Sequence, residues 1–191
     1  HLFLSGYHRT LAFLERLGTR GQICFQDRFQ VGFIEPGGRS TRLDCPPLPS
    51  PWHFFVGLLR FSGLLLSDKC GLMLLWTQLK TNSDTEKGET VRAWLGRLGQ
   101  SEWSRTHFWN PLTVAALNEE PARVSSVGLK QVLRTLLLEP ASSSRLGMAA
   151  VGLSELYGTA AQQIIAEAGG QVLLNRPAVR LQMEENHVCG V

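Results

Sequence analysis

The sequence lacks the motifs that mark most metal-binding and nucleotide-binding proteins. Its four cysteines show no Cys-x-x-Cys spacing and no His-x-x-x-His accompanies them, which argues against a zinc site or a redox-active pair. No Gly-x-Gly-x-x-Gly, phosphate-binding loop or Gly-x-Ser-x-Gly is present. We therefore expect no metal, and cysteines that are reduced and structural.

Charge of one sign is also scarce, and so are long apolar runs. The net charge is only +3, from 19 basic and 16 acidic residues without a block of five like charges, so we expect no nucleic-acid partner. The N-terminal residues show no charged segment followed by a cleavable apolar core. The absence of a secretory signal favours the cytoplasm.

The length and the apolar content suffice for a core. The chain has 191 residues, of which 43% are hydrophobic, so we expect one globular domain. The chain opens on His1 without an initiator methionine and stops at Val191 within an expected strand. We therefore expect a piece of a longer protein.

The first part of the sequence changes from a helical period to a strand period. Apolar residues recur at helical spacing at Tyr7, Leu11, Leu14 and Leu17. Gly18 follows as the expected helix stop. Residues 23–25, 29–34 and 39–43 then alternate in polarity, and residues 35–38 supply a turn. This pattern predicts a helix, one strand and a β-hairpin.

The most apolar region follows a proline-rich connector at 45–51. Within residues 52–76, Arg60 and the polar residues around Ser67 interrupt the apolar runs at intervals shorter than a membrane span. We expect two helices joined near Ser67 that form core and tunnel walls. The alternative is a membrane surface, with Trp52, Phe54 and Phe55 in the bilayer interface and Arg60 reaching the headgroups.

The middle of the chain carries several capping signals. We expect a polar loop at 82–88, a helix at 90–98 and a further helix capped by Ser101. Asn110 is a favoured N-cap and Pro111 is favoured at the first helical position, which predicts a new helix there.

The last part predicts a helix, a strand and a second helix, at residues 124–138, 144–151 and 153–168. Gly169 and Gly170 would stop the second helix. Strands at 171–175 and 178–182 follow, with the second paired to 187–191. We expect an α+β fold that is mostly helical around a small mixed or antiparallel sheet.

No catalytic group follows from the sequence chemistry. The histidines without a partner fixed by sequence are His8, His53, His107 and His187. The carboxylate pairs at 119–120 and 184–185 each consist of neighbouring residues. Neighbouring side chains diverge, so we expect these pairs to be solvated surface groups. The catalytic residues therefore stay unknown.

Three stretches resemble one family of flavoproteins. Residues 1–10, His-Leu-Phe-Leu-Ser-Gly-Tyr-His-Arg-Thr, are similar to the stretch that follows the Asp-x-Gly-x-His segment of phytoene-desaturase-like proteins. Residues 109–118, Trp-Asn-Pro-Leu-Thr-Val-Ala-Ala-Leu-Asn, resemble the squalene-associated branch, the hydroxysqualene dehydroxylases. Residues 152–180 are similar to its last substrate-domain helix and the strand that re-enters the FAD domain. Residues 52–98 carry the likeness only through their hydrophobic character.

The resemblance implies a fragment of an FAD-dependent oxidoreductase in the phytoene desaturase and flavin amine oxidase superfamily. Residues 1–169 would be its substrate-binding domain and residues 170–191 the return strands of the FAD-binding domain. The whole enzyme would remove a hydroxyl from hydroxysqualene, a long isoprenoid, in squalene or hopanoid synthesis, with reduced flavin as the hydride source. It would be cytoplasmic, with peripheral attachment to the inner face of the cell membrane. The fragment alone would be inactive and unable to hold FAD.

The same resemblance suggests site residues. His1 would lie near the flavin ring, with a frayed terminus as its alternative, and Val179 would offer backbone to the adenine side. A C30 hydrocarbon needs a long apolar tunnel, for which the candidates are Phe54, Phe55, Trp109, Asn110 and Asn118. A capping role is the alternative for Asn110, and a turn is the alternative for Asn118.

Other functions stay open. A lipid- or membrane-binding helical module without chemistry would show the same apolar stretch and the same lack of catalytic residues. A flavin amine oxidase or a carotenoid-type desaturase is a third option within the superfamily. A dinucleotide-binding βαβ unit upstream of His1 would favour the enzyme over the module.

Overall fold

The computed structural model describes residues 1–35, 37–81 and 88–190, so most of the predicted polar loop at 82–88 lies outside the described residues. About half of the protein is helical and its strands form small antiparallel sheets. The α+β fold that the sequence predicts is therefore confirmed.

The described α-helices are α1 (His8–Arg16), α2 (Trp52–Arg60), α3 (Leu66–Thr81), α4 (Val91–Arg97), α5 (Glu102–Ser104), α6 (Asn110–Leu117), α7 (Ser126–Leu138) and α8 (Ala160–Glu167). Two π-helical segments, Arg105–Trp109 and Ser154–Thr159, lead into α6 and α8. The described strands are β1 (Leu2–Leu4), β2 (Ile23–Phe25), β3 (Gln30–Ile34), β4 (Ser40–Asp44), β5 (Leu146–Ala149), β6 (Gln182–Glu184) and β7 (His187–Gly190).

The central sheet has three strands in the order β1-β5-β2, all antiparallel neighbours. Its inner face packs on α1 and on the π-helical turn before α8, in a small core of Phe3, Leu11, Leu14, Ile23 and Leu156. Strands β3 and β4 form the separate hairpin that the sequence predicts. Strand β2, which precedes this hairpin in the sequence, belongs to the central sheet and does not pair with the hairpin.

The main core lies between the β3–β4 hairpin and the helices α2 to α7. An aromatic cluster joins the two parts, because the ring of Phe33 on β3 lies 5.3 Å from that of Phe61 and 5.6 Å from that of Phe108. Trp94 and Leu133 are fully buried in the same core. Burial of such large apolar side chains contributes most of the stabilisation, at about 1.5–3 kcal/mol for each of them.

Most of the predicted helix boundaries are confirmed by the backbone. Gly18 and Gly99 have φ angles of 71° and 69°, the left-handed conformation of a residue that ends a helix. Thr90 accepts a hydrogen bond from the N–H of Ala93, and Ser101 accepts one from the N–H of Ser104. Both side chains thereby cap the first turn of their helices.

Helix α6 begins at Asn110 as predicted, but the prediction that Asn110 is its N-cap is wrong. Trp109 already has helical angles, φ −70° and ψ −40°, so the chain continues in one helical path from α5 through the π-helical turn into α6. Pro111 lacks an N–H, and its ring crowds the preceding turn of a regular α-helix. The wider π-helical turn accommodates it, and the hydroxyl of Thr113 donates to the Trp109 carbonyl at 2.7 Å.

The C-terminal part departs from the prediction in two elements. Strands β6 and β7 form a hairpin as expected, but β6 shares only Gln182 with the strand predicted at 178–182. Residues 171–175 do not form a strand, and Asn175 lies in a turn with φ 56°. Val172, Leu173 and Leu174 are exposed, so this stretch lacks the packed face that would hold a strand in place.

Candidate functional site

The two residues predicted to contact the cofactor lie on the surface. His1 is exposed and precedes β1, and Val179 is 91% exposed in an irregular stretch before β6. Nucleotide phosphates usually bind backbone N–H groups at a helix N-terminus after a glycine-rich turn, and neither residue lies in such a turn. Neither His1 nor Val179 therefore lies in a phosphate-binding turn of this kind.

Phe54 and Trp109, two of the predicted tunnel residues, lie in the close-packed core. The ring of Phe54 is 5.6 Å from that of Phe29, and the ring of Trp109 is 4.8 Å from that of Phe108. Both side chains are almost completely buried. Because protein interiors pack as densely as organic crystals, a tunnel along these two rings would require side chains to move.

The other three predicted tunnel residues lie nearer to the surface. Phe55 is half-buried, with its ring 5.2 Å from that of Trp76 in an edge contact. Asn110 is half-buried on the helical path, and Asn118 is exposed. Asn118 has φ 53° and ends α6, which agrees with the turn alternative that the sequence offered for it. Of the five predicted tunnel residues, two therefore lie in the core and three lie nearer to the surface.

A buried polar network lies beneath Trp109. The indole N–H of Trp109 donates to Gln100 Oε1 at 2.6 Å, and Gln100 Nε2 donates to the Asp68 carbonyl at 3.2 Å. The Asp68 carboxylate accepts from the N–H and the hydroxyl of Ser101, at 2.7 and 2.9 Å. Every one of these groups has a partner, so the network fits a structural role in joining α3 to α5.

A cavity of about 370 Å³ lies between the proline-rich connector and the 3-10 turn before β5. His53 and Ser144 line it, with His53 Nε2 3.3 Å from Ser144 Oγ. His53 Nδ1 is buried and has no hydrogen-bond partner in the described part of the chain. Burial lowers the pKa of His53, an effect that the nearby carbonyls of Leu136 and Pro49 partly oppose.

The His53–Ser144 pair differs from a catalytic triad in the described part of the chain. The Ser144 hydroxyl is 2.8 Å from the Ala141 carbonyl, to which it donates. No described carboxylate orients His53 through Nδ1, which an activated serine requires. Burial also raises the pKa of the neighbouring Cys45 to about 12, so its sulfur stays a thiol and is a poor nucleophile.

A larger and shallower groove of about 630 Å³ runs between α1 and the central sheet. Its polar lining includes His8, which lies 3.0 Å from Glu139, and Arg20, which lies 2.7 Å from Glu15. Exposed ion pairs of this kind contribute at most about 1 kcal/mol and are common on protein surfaces. The groove therefore offers polar contacts but no group prepared for chemistry.

One part of the outer face of the central sheet is apolar and exposed, whereas Leu4 and Leu146 on the same face pack on the main core. Leu2 on β1 and Cys24 on β2 both lie opposite Met148 on β5, so the three side chains form one row across the sheet. All three are exposed. We name Leu2, Cys24 and Met148 the sheet row; one of its members, Leu2, directly follows His1 in the sequence.

Sequence reasoning missed both the sheet row and the Asp68 network. Leu2, Phe3 and Leu4 show no alternation, so β1 gave no strand signal and its pairing with β5 could not be inferred. Asp68 and Ser101 are 33 residues apart, so a contact between them leaves no local pattern. A cap signal at Ser101 was visible, but its second partner was not.

Comparison with models of known protein families gives no match, and a search of curated proteins also finds none. Within the described residues, no group of three or more potential ligands could hold a metal ion. In the same part of the chain, no helix is long and apolar enough to cross a membrane.

Proposed function

We propose that this chain is the substrate-side part of an FAD-dependent oxidoreductase that converts hydroxysqualene, a long isoprenoid, to squalene. The resemblance of residues 1–10, 109–118 and 152–180 to the hydroxysqualene dehydroxylases supports the proposal. The mostly helical α+β fold is of the kind that this resemblance implies for a substrate domain.

The observation that carries the proposal is apolar surface left unpacked in the parts expected to face the FAD domain. Leu173, Leu174 and Val179 are exposed in the segment that would supply the return strands. The sheet row is exposed beside His1, the residue expected near the flavin ring. A partner domain that covered both would remove apolar area from water, at about 25 cal/mol for each Å².

The proposed reaction replaces a carbon–oxygen bond by a carbon–hydrogen bond and releases water. It therefore requires a hydride donor, which reduced flavin would supply, and a proton for the departing oxygen. In the longer protein that we propose, the cofactor would bind mainly to the FAD-binding domain. This chain would contribute the apolar wall that positions the hydrocarbon, with the sheet row as the proposed part of that wall.

The test is anaerobic turnover of hydroxysqualene by the longer protein that we propose contains this chain, with FAD and a reductant. We expect squalene to form only when flavin is present. Met148→Glu, which places a charge in the sheet row, should lower kcat/KM by at least about tenfold, because a charge is costly against a hydrocarbon. Val127→Glu is the matched control, since Val127 is exposed on α7 away from this face.

A second measurement concerns flavin binding by the isolated chain. We expect the 191-residue protein to leave purification without a flavin absorption spectrum. Retained flavin would contradict this division of roles. Absence of squalene with tight flavin binding by the longer protein would favour a carotenoid-type desaturase or an amine oxidase, and a longer protein that binds no flavin would favour the non-catalytic lipid-binding module.

A further inference from the structure

Helices α2 and α3 lie side by side and antiparallel. The Lys69 ammonium at the start of α3 donates to the carbonyl of Leu59 at the end of α2, at 2.7 Å. In the other direction, the ring of Phe55 in the first turn of α2 lies 5.2 Å from that of Trp76, far along α3. We name α2, α3 and the residues that join them the helical hairpin.

One side of the helical hairpin packs on the main core. On α3 this side consists of Leu72, Leu75 and Leu79, which follow one another at helical spacing and are buried. On α2 it includes Phe54 and Leu58, which are also buried. The burial of Phe54 corrects the sequence-based alternative that placed it in a bilayer interface.

The opposite side is exposed and apolar as well. On α3, Leu66 is 78% exposed, Met73 62% and Leu74 56%, and Cys70 on the same side is exposed. On α2, Trp52 and Leu59 are exposed. A helix with apolar residues on all sides is typical of a protein interior or a membrane rather than of a water-facing surface.

The exposed charged residues within residues 45–81 are all basic. Residues 45–81 contain four charged residues, which are Arg60, Asp68, Lys69 and Lys80. The acidic one, Asp68, is fully buried and accepts two hydrogen bonds from Ser101. Arg60 and Lys80 are exposed, so the surface charge within 45–81 is positive and complements anionic lipid headgroups.

We propose that the outer side of the helical hairpin docks on the interface of an anionic membrane. Leu66, Met73 and Leu74 enter the region just below the headgroups, and Trp52 lies at the headgroup level, where indole rings are favoured. With 9 and 16 residues, the two helices lie in the plane of the membrane and do not cross it, since a span needs about 20 residues. Arg60 and Lys80 contact the lipid phosphates.

This surface needs neither flavin nor substrate, so it can be tested apart from the proposed reaction. The first experiment measures partition of the 191-residue chain into vesicles of phosphatidylcholine with and without phosphatidylglycerol. We expect binding to the anionic vesicles, and weaker binding at high salt because ions screen the lipid charge. A triple variant, L66Q/M73Q/L74Q, should lower the partition coefficient by at least about tenfold.

The matched control replaces three exposed apolar residues outside the helical hairpin, in the variant I34Q/V127Q/L138Q. This variant should bind vesicles as the unmodified chain does. Equal losses in the two triple variants, or no binding to anionic vesicles by the unmodified chain, would overturn the proposal. A concentration-dependent dimer that L66Q/M73Q/L74Q abolishes, without vesicle binding, would also overturn it and assign the surface to a second copy.

Cys70 allows a direct test of which side meets the lipid. In C24S/C189S, a polarity-sensitive fluorophore attached to Cys70 reports on the helical hairpin, because Cys45 is buried. Its emission should shift to the blue on addition of anionic vesicles and be quenched by nitroxide lipids. In C70S/C189S the same fluorophore on Cys24 should not respond; a response at Cys24 and none at Cys70 would contradict the docking geometry.

Discussion

Asp68 shows how one buried carboxylate can join two helices. Its side chain accepts from the N–H and the hydroxyl of Ser101, which itself caps α5. In Asp68→Ala, the Ser101 N–H loses its partner in a half-buried setting, so the free energy of unfolding should fall by about 2–3 kcal/mol. Urea unfolding followed by tryptophan fluorescence measures the change.

The control for this prediction is Ser67→Ala, because Ser67 is the exposed neighbour of Asp68 on α3. It should change the free energy of unfolding by less than about 0.5 kcal/mol. Asp68→Asn retains one acceptor oxygen, so its loss of unfolding free energy should lie between those of Asp68→Ala and Ser67→Ala. A similar stability for Asp68→Ala and Ser67→Ala would show that the network contributes little.

His53 should make stability depend on pH in one direction. Burial lowers its pKa below the ordinary value of 6.5. Well above pH 6.5 the ring is neutral in both the folded and the unfolded chain, so it adds no pH dependence there. As the pH falls through 6.5, the unfolded chain takes up a proton that the folded chain resists, and stability is lost.

The measurement compares urea unfolding of the unmodified chain and His53→Gln between about pH 8 and pH 5. The unmodified chain should lose stability more steeply on the acid side, by at most about 1.4 kcal/mol for each pH unit of difference. Well above pH 6.5 the difference between the two proteins should be constant. Parallel curves over the whole range would mean that the His53 ring is protonated in the folded protein as readily as in the unfolded chain.

At the scale of elements, the central sheet depends on a glycine at its middle strand. A Cβ at Gly147 would lie 2.7 Å from ring atoms of Phe25 and 2.8 Å from Ile23 Cγ2, closer than carbon atoms normally approach. Gly147→Ala should therefore destabilise the fold by about 1–3 kcal/mol, because the neighbours on β2 must shift. Thermal unfolding measures this loss.

Gly32 on β3 provides the matched strand position. A Cβ there meets nothing within 4 Å, and the residue is exposed. Gly32→Ala should be neutral or slightly stabilising, because alanine lowers the conformational entropy of the unfolded chain. Equal destabilisation in both variants would indicate a general cost of alanine in these strands rather than the close contact at Gly147.

The elements that the sequence predicted correctly have strong local signals. Helix α1 follows from the spacing of its apolar residues and from Gly18, and the β3–β4 hairpin follows from alternation around a glycine-rich turn. The two helices expected in the apolar region are also present, but they are joined at residues 61–65, after Arg60, and not near Ser67, which lies inside α3. The local sequence pattern therefore suffices to predict an element whose own residues mark where it begins and ends.

The errors arise where distant residues decide the structure. Asn110 and Pro111 carry a valid start signal, but the helix capped by Ser101 continues through them by widening into a π-helical turn. Residues 171–175 have strand-forming side chains, yet no described strand pairs with them. A strand needs a neighbour for its backbone groups, and local sequence cannot supply that information.

At the scale of the whole molecule, the predicted site residues separate into two groups. Phe54 and Trp109 are core residues, as the hydrophobic pattern alone would suggest. His1 and Val179 were chosen through the family resemblance and lie on the surface. Their predicted role depends on an FAD-binding domain, so it follows from the resemblance and not from the packing of this chain.

The domain boundary expected at residue 169 can be tested by measuring the stability of a truncated chain. Residues 162–189 are exposed throughout, so their removal should expose little core. A chain truncated after Gly169 should keep its free energy of unfolding within about 1 kcal/mol of the 191-residue chain in urea. The matched removal of residues 1–7 should destabilise strongly, because Phe3 and Leu4 are buried and β1 pairs with β5. A large loss on truncation after Gly169 would show that the C-terminal segment stabilises this domain, and would therefore weaken the proposal that it pairs with a separate one.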